Sequence, residues 1–137
     1  MKAAELAKSE SVDFILAVGG GSVVDGSKFI SAAIHHQDDP WKILTERQPI
    51  IDTTPMGCIL TLPATGSEMN SFSVVSRGKD KLGFGGDPRL FAKFAVPSSK
   101  FTTFLSIKFS ELLVFVEIIS SFFLYFLFLF FKKKGSI

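Results

Sequence analysis

The chain has 137 residues, a formal net charge of +2 and 47% hydrophobic residues. That length fits one domain or part of one, the apolar content suffices for a core, and so small a net charge argues against a nucleic-acid partner. One cysteine excludes a disulfide scaffold and a Cys-rich zinc module, and eleven glycines with six prolines exclude collagen and Pro/Gly-rich low complexity.

Lys2 to Ser9 is rich in Ala, Leu, Glu and Lys and is expected to be helical. No apolar run follows Met1-Lys2, so the start does not read as a signal peptide and the expected location is cytoplasmic. Asp13 to Val18 is a compact apolar run without alternation, the pattern of a strand buried on both faces. Gly19-Gly20-Gly21-Ser22 follows at once, and Val23, Val24, Ser27, Ile30 and Ala33 then set a helical period, with Phe29 on the same apolar side. Helix, strand, glycine turn and helix in this order predict a parallel α/β layer.

Glycines at such a turn let the backbone take positive φ and let a ligand approach closely. The helix behind them aims free N–H groups and a positive dipole end at the same spot, so the favoured ligand is an anion such as a pyrophosphate. Ser22 adds a hydroxyl, for the ligand or as a cap for the helix. The alternative is that the glycines only make a tight turn. Two familiar patterns fail here. A dinucleotide G-x-G-x-x-G from Gly19 needs glycine where Val24 stands, and a P-loop from Gly21 reads Ser27-Lys28 where Lys followed by Ser or Thr is required.

His35-His36-Gln37-Asp38-Asp39-Pro40 is a polar break, expected as a solvated loop whose adjacent histidines point apart and do not share a metal. Asp39 as cap and Pro40 at the first position predict a short helix through Trp41-Lys42-Ile43-Leu44. Met56 to Pro63 is the second strand, with Cys58 a small buried hydrophobe. Pro63-Ala64-Thr65-Gly66-Ser67-Glu68 then turns the chain. It reads either as a ligand loop at a strand's carboxyl end or as a helix start capped by Thr65 or Ser67. Ser73-Val74-Val75-Ser76 and Phe91 to Val96 are further strand candidates, and Arg77 to Lys81 between them is a charged, hairpin-like turn.

Three blocks in order carry a resemblance: Ala17-Val18-Gly19-Gly20-Gly21-Ser22-Val23-Val24-Asp25-Gly26-Ser27-Lys28-Phe29, then Asp39-Pro40-Trp41-Lys42-Ile43-Leu44, then Pro55 through Asn70. Phe14 to Phe94 resembles the iron-containing (group III) alcohol dehydrogenases, in particular the butanol-dehydrogenase-like branch that reduces aldehydes with NAD(P)H. The resemblance implies a partial Rossmann-like nucleotide-binding α/β domain of the dehydroquinate synthase-like fold over residues 1–105. In the family an all-helical domain follows, and metal and substrate lie in the cleft between the two. By resemblance, Gly20, Gly21 and Ser22 hold the pyrophosphate of NAD or NADP, with Asp25 in the same block. Thr61, Thr65, Ser67 and Asn70 line the nucleotide and nicotinamide side, and Lys81 reaches a ribose or phosphate. The implied substrates are alcohols or aldehydes, and homodimers are common in the family.

The departures from the family lie at the two ends. The family begins with a strand and an earlier glycine turn that help choose NAD or NADP, and Met1 falls after them. The family's iron or zinc is held by an Asp and a His four residues apart on a helix and by two later histidines. The first two places fall on Val116 and Ser120, and no histidine occurs after His36. Hydride transfer in the family relies on that metal to polarise the carbonyl or alkoxide oxygen, so the expected metal and catalytic residues of this chain are none.

Residues 106–137 form a second composition: ten of the 16 phenylalanines lie between Phe101 and Phe131. Leu112 to Phe131 is nearly all apolar, with Glu117 its only charge, and Lys132-Lys133-Lys134 follows. An apolar helix of about 20 residues spans a bilayer core, which would make this a membrane anchor. The other readings are a buried helix on the sheet and an out-of-frame remnant of an interrupted dehydrogenase gene. Two function classes therefore stand: a dehydrogenase fragment with a partial cofactor site, inactive alone, and a membrane-attached non-catalytic protein whose glycine turn is only structural.

Overall fold

The computed structural model describes residues 2–61, 65–97, 114–117 and 127–131. Helix α1 (Lys2–Ser9) leads into β1 (Phe14–Gly19), α2 (Gly21–Ala33) and the single turn α3 (Lys42–Thr45). Strand β2 (Met56–Leu60), a 3-10 turn at Ser67–Met69 and the strands β3 (Ser73–Arg77) and β4 (Asp80–Phe84) follow. A second 3-10 turn at Pro88–Leu90 precedes β5 (Ala95–Pro97), and β6 (Val114–Glu117) and β7 (Leu127–Phe131) lie in the tail.

The main sheet has the order β5-β2-β1-β7-β6. β1 and β2 are parallel, from Ile15 opposite Met56 to Gly19 opposite Leu60. β2 and β5 are parallel as well, with Cys58 opposite Ala95. This parallel three-strand block, with α1 and α2 packed on it, is the parallel α/β layer that the order of helix, strand, glycine turn and helix predicts. Ala3, Ala7, Val12, Ile15, Ala17, Val23, Val24, Met56, Cys58 and Leu60 form its core. Small residues in α1 let the helix approach α2 closely, and Ser31 Oγ donates to the carbonyl of Thr54 at 2.8 Å, tying α2 to the segment before β2.

A second core lies at the far end of α2. Phe29 meets Trp41 edge-on at 5.9 Å and Phe84 edge-on at 5.7 Å, with Ile43, Leu44 and Leu90 around them. Edge-to-face rings add to the burial itself, about 1 kcal/mol per pair. The short helix forms, but it starts two residues later than expected, at Lys42 with Trp41 in the cap position, and Asp39 instead braces the turn before it: its carboxylate accepts the Trp41 N–H at 3.0 Å. It also pairs with Arg77 at 3.1 Å, and that guanidinium lies over the Trp41 ring. The Trp41 N–H, and then Arg77, hold the Asp39 carboxyl below the usual carboxylate range. Through these contacts the β3–β4 hairpin, turned at Gly78-Lys79, is pinned to the helical layer.

Three expectations need correction. Of Phe91 to Val96 only the end is strand, because β5 begins at Ala95. His36 is buried, its Nε2 2.9 Å from Gln48 Oε1, while His35 Nε2 lies 3.0 Å from Thr54 Oγ1. The two histidines do point apart, but each is used inside the fold. The tail is not one apolar helix over residues 112–131: residues 114–117 and 127–131 are strands, and β7 pairs antiparallel with β1, Phe14 opposite Phe131 and Val18 opposite Leu127. A free edge of β1 offers a row of backbone donors and acceptors, and aromatic and β-branched residues favour extended chain. Among the described residues no helix is long and apolar enough to cross a membrane.

Candidate functional site: the glycine turn at the head of helix α2

The chain leaves the carboxyl end of β1 at Gly19 and enters α2 at Gly21, so three successive glycines carry three different constraints. Gly19 has φ +157°, and a Cβ there would lie 2.4 Å from Val23 Cγ2 inside the core. Its glycine is therefore required by packing. At Gly21 a Cβ would meet the Thr65 hydroxyl, from another segment, at 2.6 Å, so that exposed side chain would have to turn away. Gly20 is the exception. Its backbone is ordinary extended chain, φ −85° and ψ −173°, and a Cβ would meet nothing within 4 Å. Among the described residues nothing demands glycine at position 20. What lies in front of it is open space at the amino end of a 13-residue helix.

Among the described residues no side chain caps that end. The Gly20 carbonyl accepts the N–H groups of Val23 and Val24, at 3.0 and 3.2 Å. Ser22 is therefore the second residue of α2, exposed, and it does not act as its cap. An uncapped helix start with an unobstructed glycine matches what a pyrophosphate needs: backbone N–H donors, a positive dipole end and no Cβ in the way.

The remaining expected residues divide into two groups. Thr61 and Thr65 are exposed beside the turn, Thr61 with its N–H donated to the Gly19 carbonyl at 3.1 Å. Asp25, Ser67 and Asn70 face inward instead. Asp25 accepts the Ser67 hydroxyl on one oxygen and the Val74 N–H at 3.0 Å on the other, and its carbonyl accepts the Ser73 hydroxyl at 2.7 Å. Asn70 accepts the Phe72 N–H at 2.8 Å and donates to the Gly66 carbonyl at 2.9 Å. Lys81 stands apart, exposed on β4 opposite Ser76. The 3-10 turn at Ser67–Met69 follows Gly66 at φ +68°, and no side chain caps it. Neither Thr65 nor Ser67 therefore acts as a helix cap.

Asp25, Ser67 and Asn70 converge on Lys28, a residue to which the sequence reading gave no role. Lys28 is fully buried, and its Nζ lies 2.6 Å from the Ser67 carbonyl, 2.6 Å from the Phe72 carbonyl, 3.2 Å from Asn70 Oδ1 and 3.3 Å from Ser67 Oγ. The Ser67 hydroxyl gives its proton to Asp25, so towards Lys28 it accepts. Three ammonium N–H bonds are thus shared among four acceptors, and the carboxylate stands one hydroxyl away. Burial pushes the Lys28 ammonium below its usual pKa, and the Asp25 charge opposes that shift. A signal for this position was available: Lys28 follows Val24 by one turn, on the buried stripe of α2, where a cation needs partners.

Cys58 is completely buried in β2, and burial pushes its thiol up to about 11. This makes it a packing residue and not a nucleophile. Among the described residues no group of three or more His, Cys, Asp or Glu side chains is placed to hold a metal ion. The iron or zinc expected from the resemblance therefore finds no fitting ligand set in them.

The sequence profile of the iron-containing alcohol dehydrogenases matches residues 1–98. The chain is 44% identical over 104 residues to the probable NADH-dependent butanol dehydrogenase 1 of Bacillus subtilis (strain 168), covering 74% of this chain and 27% of that protein. It is 55% identical over 80 residues to the NADPH-dependent aldehyde reductase YqhD of Escherichia coli (strain K12), covering 56% and 21%. Among solved structures, the NADH-dependent butanol dehydrogenase A of Thermotoga maritima superposes with a TM-score of 0.67 at 35% identity, over 71% of this chain and 25% of that one. The chain thus spans about a quarter of the length of these relatives. Matching blocks, the parallel sheet and the glycine turn at its carboxyl edge lead to one assignment: the chain belongs to the iron-containing alcohol dehydrogenase family.

Proposed function

We propose that this chain is the nucleotide-binding part of an NAD(P)H-dependent alcohol or aldehyde oxidoreductase, binding the dinucleotide pyrophosphate at Gly20–Ser22 and turning over no substrate by itself. The observation that carries the reading is Gly20, a glycine that no described residue requires to be one, at the start of α2, which no described side chain caps. The N–H groups of Gly21 and Ser22 donate to the diphosphate, and the helix dipole adds a favourable field of about 0.5–1 kcal/mol for a nearby anion. Thr61 and Thr65 offer hydroxyls to the rest of the dinucleotide from the β2 side. A bound nicotinamide supplies the hydride donor or acceptor. The chain's own contribution is to bind and orient it. Among the described residues the family's metal has no fitting ligand set.

Calorimetry of the folded chain with NADH and with NADPH tests the reading, together with the substitution Gly20→Asp. A carboxylate at position 20 caps α2 and suits its dipole, so the melting temperature should hold or rise slightly. The same carboxylate occupies and repels the pyrophosphate position, so nucleotide affinity should fall by at least about tenfold, about 1.4 kcal/mol. Absence of heat with either nucleotide on folded wild-type chain overturns the proposal.

A further inference from the structure

The turn, α2 and the 65–74 segment are held together by one buried cation, and the wiring has a direction. Thr65 is the residue whose hydroxyl lies against Gly21. The segment that carries it is attached to α2 through the Asp25 carbonyl, which accepts the Ser73 hydroxyl, and through two side chains about one helical turn apart. Lys28 takes the carbonyls of Ser67 and Phe72 and the amide oxygen of Asn70, while Asp25 takes the Ser67 hydroxyl and the Val74 N–H. A fully buried ammonium tolerates no other arrangement cheaply, because each lost acceptor leaves charge unsolvated. The acceptors therefore cannot drift, and the residues before them cannot drift far either.

We propose that Lys28 is a positioning residue for the nucleotide site: through Ser67, Asn70 and Phe72 it fixes the segment that sets Thr65 against the glycine turn. This rests on the proposed function for its consequence in binding, but its structural half stands without it. Lys28 touches neither Gly20 nor Ser22 in this wiring, and its effect reaches the pyrophosphate position only through the segment.

The test uses the full 137-residue chain, with Lys28→Met as the variant and Leu90→Ala, in the second core, as a control for general destabilisation. Two readouts are taken at a temperature where all three proteins are folded. The first is hydrogen exchange at the amides of Met69, Phe72 and Val74 compared with those of β1. Lys28→Met should speed the former by at least about tenfold and leave the latter nearly unchanged, whereas Leu90→Ala should not show this contrast. The second is NADH and NADPH affinity, expected to weaken by about tenfold or more in Lys28→Met and to stay within about twofold of wild type in Leu90→Ala. Should Lys28→Met not fold, Lys28→Arg, which keeps the charge but spreads its donors over a planar fork, carries the same readouts. Unchanged exchange in the segment overturns the positioning role whether or not nucleotide binds. Faster exchange with undiminished affinity overturns its link to the site. Selective exchange in Lys28→Met, alongside a wild-type chain that binds neither nucleotide, overturns the proposed function and, with it, the binding half of this inference.

Discussion

At the scale of single residues, the three glycines are three separate experiments. Gly19 combines a positive φ with a Cβ position inside Val23. Gly19→Ala should therefore cost about 2–3 kcal/mol by urea denaturation, the range for forced overpacking plus backbone strain. A loss below about 0.5 kcal/mol would contradict that packing argument. Cys58 makes a pH prediction. Its thiol ionises only near 11 in the fold and near its ordinary value once unfolded. Between those values the unfolded chain has lost a proton that the folded chain still holds, so rising pH should destabilise the fold. Urea midpoints measured for wild type and Cys58→Ala at pH 8 and pH 10.5 should diverge at the higher pH, wild type falling further. At pH 8 the folded chain should also resist iodoacetamide until urea exposes the thiol.

At the scale of elements, what could be read ahead was whatever local periodicity determines. α1, β1 and the turn into α2 follow from an alanine-rich start, an unbroken apolar run and a glycine cluster, and the structure places each where these signals point. The short helix α3 was legible because Asp39 and Pro40 act within a few residues of themselves, though they shape the turn before it and the helix itself begins at Lys42. The interior use of Asp25, Ser67 and Asn70 was not legible. It depends on Lys28 meeting a segment about 40 residues away, and no local pattern reports such a meeting. His36 failed for the same reason: a polar run reads as solvated until Gln48 arrives to satisfy it. The tail failed differently. Length and apolarity favour a spanning helix, but β1 presents an unpaired edge, and strand pairing with β7 competes for the same residues.

At the scale of the whole molecule, the family blocks end near residue 98, and the chain corresponds to about a quarter of its relatives. A dehydrogenase assay of the purified chain with NADH or NADPH, butyraldehyde and added iron(II) or zinc should give no turnover above the protein-free rate. Nucleotide binding alone positions one reactant, and polarisation of the carbonyl would have to come from ligands these residues do not assemble. Measurable aldehyde reduction would show that a metal site can be built from other residues of the chain.

The contact between Gly21 and Thr65 also bears on how such turns can be moved or redesigned. The space beside position 21 is shared with a hydroxyl from the loop after a different strand. The Gly19–Ser22 stretch is therefore not a portable cassette: grafted onto a foreign sheet, it would arrive without the threonine that flanks it. Moving the turn to another sheet would therefore mean moving the loop that carries Thr65 with it.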